Sequence, residues 1–131
     1  MELKLGKRLL KMRKLFTILL MSVTALCFAQ KKDYKLLNTD EKGTKFYYSF
    51  DKQTKDGFFT WQKISYTEKY NPAQESLEFY VEFKCSNKTQ SDQITINNWR
   101  GAKPEIYREK SPFIPVKKNY LTYPLFEKHC K

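Results

Sequence analysis

The side chains that could do chemistry are one histidine, three cysteines, scattered carboxylates and many tyrosines. His129 is the single histidine among 131 residues. As a general base it would need a nucleophile within hydrogen-bond reach and a carboxylate to orient it. No spacing in the chain marks either. Beside Cys130 it reads as a histidine at a surface or helix end. Four glycines, dispersed, make no phosphate-cradling loop, and HExxH is absent. Glu78 and Glu82 are too far apart along a strand to work as an acid–base pair and read as solubilising charge. Asn87-Lys88-Thr89 fits the N-glycosylation triplet, which is short and common. These residues predict no enzyme, no cofactor and no metal site.

Aromatic content is the odder feature, with nine Tyr, ten Phe and two Trp. Small sheets bury large rings to gain area, so most of these belong to a core. Tyr80 is different, because it falls in phase with charged neighbours. Tyr47 stands the same way in its own run. A tyrosine stripe beside lysines is a recognition surface, and Tyr47 and Tyr80 are the candidate binding residues.

The formal charge is +11, and residues 1–29 contribute six cations and one acid to it. Residues 15–28 are an almost unbroken apolar run behind a basic start, followed by Cys27-Phe28-Ala29. That is a signal peptide cleaved before Gln30, with Met12 an alternative start. The run is short for a membrane span, which takes roughly 20 residues, so no transmembrane span is expected after cleavage. Residues 30–131 then form a single domain carrying +6. With both signs interspersed, nucleic acid is not an expected partner. Inhibition of cationic lysozyme is opposed by the same charge. Cys27 leaves with the signal, and the remaining pair in an exported chain reads as a Cys85–Cys130 disulfide.

The element that organises the rest is SLEFYVEFKC, residues 76–85. Leu77, Phe79, Val81, Phe83 and Cys85 alternate with Glu78, Tyr80, Glu82 and Lys84, the period of a strand with one face buried. Around it, residues 34–37, 46–50, 58–67 and 93–99 read as further strands, with Ile94 and Ile96 inward. Residues 87–92 read as a polar turn. In residues 58–67 either Phe59 and Trp61, or Phe58, Ile64 and Tyr66, face the core, unless a bulge switches faces between them. Pro104 and Pro112 confine residues 105–109 to a short, exposed edge strand or none, and Pro112 and Pro115 bracket backbone outside any ladder. Pro124 suits the first turn of a short C-terminal helix, with Glu127 near its start and Lys128 and His129 near its end. The pattern predicts an α+β fold: an antiparallel meander of about five strands under that helix, closed by one disulfide.

The order of these pieces resembles the surface-adhesin protein E family of small exported bacterial proteins. Phe46 to Asp51 (FYYSFD), Gly57, Thr60 to Lys63 (TWQK), the strand ending at Cys85 and the terminal LFEKHC carry the likeness. The family implies a disulfide-closed sheet with a helix and an envelope or surface location. Residues 100–114 depart from its pattern, so only the two cysteines transfer. Together these readings point to an exported cell-envelope binding module with an unknown protein or envelope component as partner. A small periplasmic enzyme or enzyme inhibitor is the alternative.

Overall fold

The structure, a computed structural model, describes residues 32–130. The predicted signal segment lies outside the described residues. Seven strands follow in chain order: β1 (Lys35–Thr39), β2 (Lys45–Gln53), β3 (Gly57–Ser65), β4 (Gln74–Lys84), β5 (Thr89–Trp99), β6 (Glu105–Tyr107) and β7 (Ile114–Pro115), then one helix, α1 (Tyr123–His129). All join one antiparallel sheet, ordered β1-β2-β3-β4-β5-β6, with β7 also on β5.

The class is therefore mainly β, which corrects the expected α+β architecture of about five strands. The reason is scale. The helix has seven residues, below the roughly 12–15 at which even an isolated helix is marginal. It plugs one end of the sheet and makes no second layer. Its Leu125 and Phe126 are buried, and Phe126 packs with Phe58, Val81, Phe83 and Val116, where β3 begins and β4 ends. Pro124 sits in its first turn and Lys128 and His129 in its last, but no acid occupies the first turn and Thr122 caps without a side-chain bond. Cys130 is bonded to Cys85 with 5.3 Å between Cα atoms, as the sequence predicted.

The register decides the faces. Phe58 pairs with Phe83, Thr60 with Val81, and Ile64 with Leu77, so these share the helix-side face. Phe59, Trp61 and Lys63 pair with Glu82, Tyr80 and Glu78 and occupy the opposite face. The second of the two readings of residues 58–67 holds for Phe58 and Ile64. The expectation for Ile94 and Ile96 fails, because they pair with Tyr80 and Glu78 and share the outer face. A register shift between Tyr80 and Val81 lies beside them. Residues 89–92, expected as a turn, open β5 instead. Ser91 is buried there at 1% exposure, and its hydroxyl donates to the Ser111 carbonyl at 2.5 Å.

Turn chemistry fixes the ends. Between β1 and β2 the Asp40 carboxylate accepts from the Lys42 and Thr44 amides at 2.9 Å each. Gly43 there has φ of 76°, left-handed backbone that glycine adopts without a Cβ penalty. Between β2 and β3 the Asp56 carbonyl accepts from the Cys85 amide at 2.7 Å, and its carboxylate accepts from the Ser86 hydroxyl at 2.8 Å. That hairpin is thus fastened to the turn carrying the disulfide.

Residues 105–116 run as a strap along the outer side of β5. β6 pairs with Thr95–Asn97, while β7 pairs with Thr89 and Gln90. Between them the Ser111 amide donates to the Asp92 carbonyl at 2.9 Å, and the Asp92 amide donates to the Ser111 hydroxyl at 2.8 Å. The Val116 amide closes the run on the Lys88 carbonyl at 2.9 Å. Pro115, expected outside any ladder, pairs with Thr89. An edge position tolerates it because a proline has no amide to leave unpaired.

Candidate functional site

On the outer face β2, β3 and β4, with Tyr34 from just before β1, bring five rings together in two groups. In the first, Tyr80 stands between Phe59 and Trp61. The centroids are 5.2 Å apart at 22° for Phe59 and 4.8 Å apart at 31° for Trp61. Cross-strand pairing of Trp61 with Tyr80 creates the stack. The Tyr80 hydroxyl donates to the Asp51 carboxylate, and Lys52 Nζ lies 5.0 Å from the Phe59 centroid. In the second group Tyr34 meets Tyr47 edge-on at 6.4 Å. The Tyr34 hydroxyl donates to Glu78 Oε1 at 2.7 Å, Asn98 Nδ2 donates to Glu78 Oε2 at 3.0 Å, and Lys63 Nζ lies 5.7 Å from the Tyr34 ring.

Tyr47 and Tyr80, the residues singled out from sequence, thus share a face but belong to separate groups. Both are half-buried. Tyr47 aligns with Lys63 and Glu78, and Tyr80 with Ser49 and Trp61, in adjacent rows of the sheet. Burial, followed by the carboxylate beside it, pushes the phenol of both Tyr34 and Tyr80 well above the ordinary tyrosine value. Both stay protonated and act as fixed donors. Glu78, read as solubilising charge, is instead an acceptor within this network. Sequence reasoning missed Phe59, Trp61, Tyr34 and Asp51. The signal available was Trp61, three residues after Phe58 and hence in opposite phase on a strand.

Two cavities lie elsewhere. One of about 420 Å³ is lined by Asp40, Lys42, Phe46, Ile64, Tyr66 and Tyr70 among others. Another, of about 240 Å³, is lined by Asp33, Lys35, Tyr48, Ser49, Phe50, Lys128 and His129. The His129 ring packs on Phe50 at 4.5 Å and on Phe58 at 4.9 Å, so its faces are held by aromatic rings. Among the described residues no group of three or more His, Cys, Asp or Glu side chains is placed to hold a metal. No helix among them is long and apolar enough to cross a membrane.

Burial, with Lys128 adjacent, lowers the His129 pKa below the ordinary histidine value. The folded state then resists protonation more than the unfolded chain does. Its contribution is complete above about pH 6.5 and is lost as pH falls through the folded-state value. Asp92 acts with the opposite sign, since burial raises its carboxyl pKa and acidification favours its folded form. The expected result is a fall in melting temperature from neutral to mildly acidic pH that is smaller in His129→Gln. Parallel profiles for the two proteins would refute the assignment.

An antiparallel β-sheet domain with an aromatic outer face and a disulfide-anchored terminal helix is what fold and site define. No family model, curated protein or solved structure matches the chain.

Proposed function

We propose that this is an exported, non-catalytic binding domain of the cell envelope, acting in the periplasm, at the surface or after secretion, and that it engages its partner through the sheet face opposite α1. The partner is a protein or another envelope component, in keeping with the resemblance to the surface-adhesin protein E family. The observation that carries the reading is the Phe59–Tyr80–Trp61 stack. Three large rings stand on the face that α1 does not cover, with Lys52 and Asp51 at their margin. Such preordered rings offer contact area at small entropic cost, and aromatic side chains are the usual anchors of recognition surfaces. The Cys85–Cys130 bond supports an oxidising compartment.

The test uses tagged mature domain in a pull-down from envelope extract, with Trp61→Ala/Tyr80→Ala and, from elsewhere on the molecule, Tyr70→Ala. A partner held by the parent and by Tyr70→Ala should be lost, by at least about tenfold, in the double variant, since such anchors carry about 2 kcal/mol or more. The stack contributes about 0.5–1.5 kcal/mol per ring pair to folding, so a melt of the double variant accompanies the measurement. Capture that survives in a folded double variant would move the binding surface elsewhere.

A further inference from the structure

Two independent properties converge on one strip of surface. The first is charge. Residues 32–130 contain seventeen Lys or Arg and thirteen Asp or Glu. Residues 100–121 hold six of these cations (Arg100, Lys103, Arg108, Lys110, Lys117 and Lys118) and two of the acids, Glu105 and Glu109. The rest of the described domain balances at eleven of each sign. Its net positive charge therefore falls within residues 100–121; the Arg100 guanidinium is held by the Tyr66 and Asn71 carbonyls, and the other five cations lie on the strap and its flanks.

The second is apolar exposure. Among the described residues eight large hydrophobic side chains are exposed, and five of them are Ile106, Tyr107, Phe113, Ile114 and Leu121, at 38–53%. Backbone pairing fixes where three of these stand, and a ring contact places a fourth. Ile106 pairs with Ile96 on the outer face, whereas Tyr107 pairs with Thr95, and Ile114 with Gln90, on the helix side. Phe113 lies beneath Lys84 Nζ, 4.1 Å from its centroid. The apolar groups thus emerge from both faces of a sheet rim. A flat protein partner would contact only one of those faces, whereas a fluid interface takes a rim edge-on.

We propose that this rim docks the domain on an anionic phospholipid bilayer, with the apolar side chains entering the headgroup region and the cations facing lipid phosphates. Amphipathic surfaces of this composition bind in proportion to buried apolar area and to attraction for anionic lipid. Each Lys or Arg close to such a surface multiplies affinity about fivefold. The strap is tied to β5 along its length, so the rim is ordered before contact and binding need not fold it. The inference is independent of what the aromatic face recognises.

Vesicle co-sedimentation of the mature domain tests it. Binding should be strong to phosphatidylcholine vesicles containing phosphatidylglycerol, weak to phosphatidylcholine alone, and reduced by added salt. Lys117→Ala/Lys118→Ala should weaken it about 25-fold. Ile106→Asn/Ile114→Asn should weaken it with no change in net charge. Tyr70→Ala, an exposed ring away from the rim, should bind as the parent does. Thermal melts confirm that each variant folds. Equal binding to neutral vesicles, no binding to anionic ones, or insensitivity to either double substitution overturns the proposal. A solution dimer that the Ile106/Ile114 pair dissolves would also overturn it, by assigning the rim to a second copy of the chain.

Discussion

Gly57→Ala is expected to destabilise the protein by about 3 kcal/mol or more. Gly57 opens β3 opposite Lys84 and is buried. A Cβ built there would lie 1.7 Å from the Phe83 carbonyl oxygen and 2.8 Å from its carbon. Both are backbone atoms, so no rotamer change relieves the clash. Nor is slack available nearby. Phe58 and Phe83 are fully buried and stacked at 4.6 Å, and the Cys85 amide binds the Asp56 carbonyl. Relief requires the β3 and β4 backbones to part at the point where the helix docks. Gly101→Ala is the control. Gly101 has φ of 71° with nothing within 4 Å of its Cβ position, so only backbone strain of about 1–2 kcal/mol applies. Urea unfolding of the two variants beside the parent decides the matter, and equal midpoints would show that the β3–β4 approach is looser than described.

Breaking the Cys85–Cys130 bond has the second large effect. The bond closes a separation of 45 residues, worth about 4 kcal/mol in the chain-entropy account. Cys130→Ser should cost about 2–5 kcal/mol, which for a domain of this size lowers the melting temperature by about 10 °C or more. The loss is not uniform. Besides the tether, α1 is held by two buried side chains, Leu125 and Phe126, and by the partly buried Tyr123 and His129, so residues 123–130 should exchange their amides first. Their departure uncovers Phe58, Val81 and Phe83 and should raise binding of a hydrophobic dye. Two titratable thiols in protein isolated without reductant, or an unchanged melt on reduction, would refute this account of the tether.

What could be seen in advance follows from the period of the side chains. β4 was legible because its two faces differ in kind, apolar against charged. β3 was ambiguous because rings point both ways, Phe58 to the core and Phe59 and Trp61 outward. β5 misled for a different reason. Ser91 and Gln93 are buried through hydrogen bonds, so a polar run concealed the start of a strand, and the isoleucines that looked inward lie on the outer face. Tyr80 as a surface feature was legible from its phase. Its partners were not, because a ring stack is set by cross-strand register, which one strand's sequence does not carry. The class was missed because a helix of seven residues was counted as a layer.

The strap also sets how many neighbours a sheet of this kind can accept. A strand edge with unpaired amides and carbonyls can be extended by another chain, and a sheet with two such edges can grow without limit. Here the β5 side is nearly spent. β6 offers three residues between Pro104 and Pro112, and the remaining backbone is occupied by Ser111, β7 and Val116. Among the described residues β1, with five residues, is the longest strand that keeps an outer side without a strand partner; β6 keeps three. A register shift between Leu36 and Asn38 interrupts even β1. Counted as linkages, the described residues offer one edge of ordinary strand length, β1, and a second, β6, too short to carry a growing ladder, so the strap makes the β5 side a poor point for fibre extension.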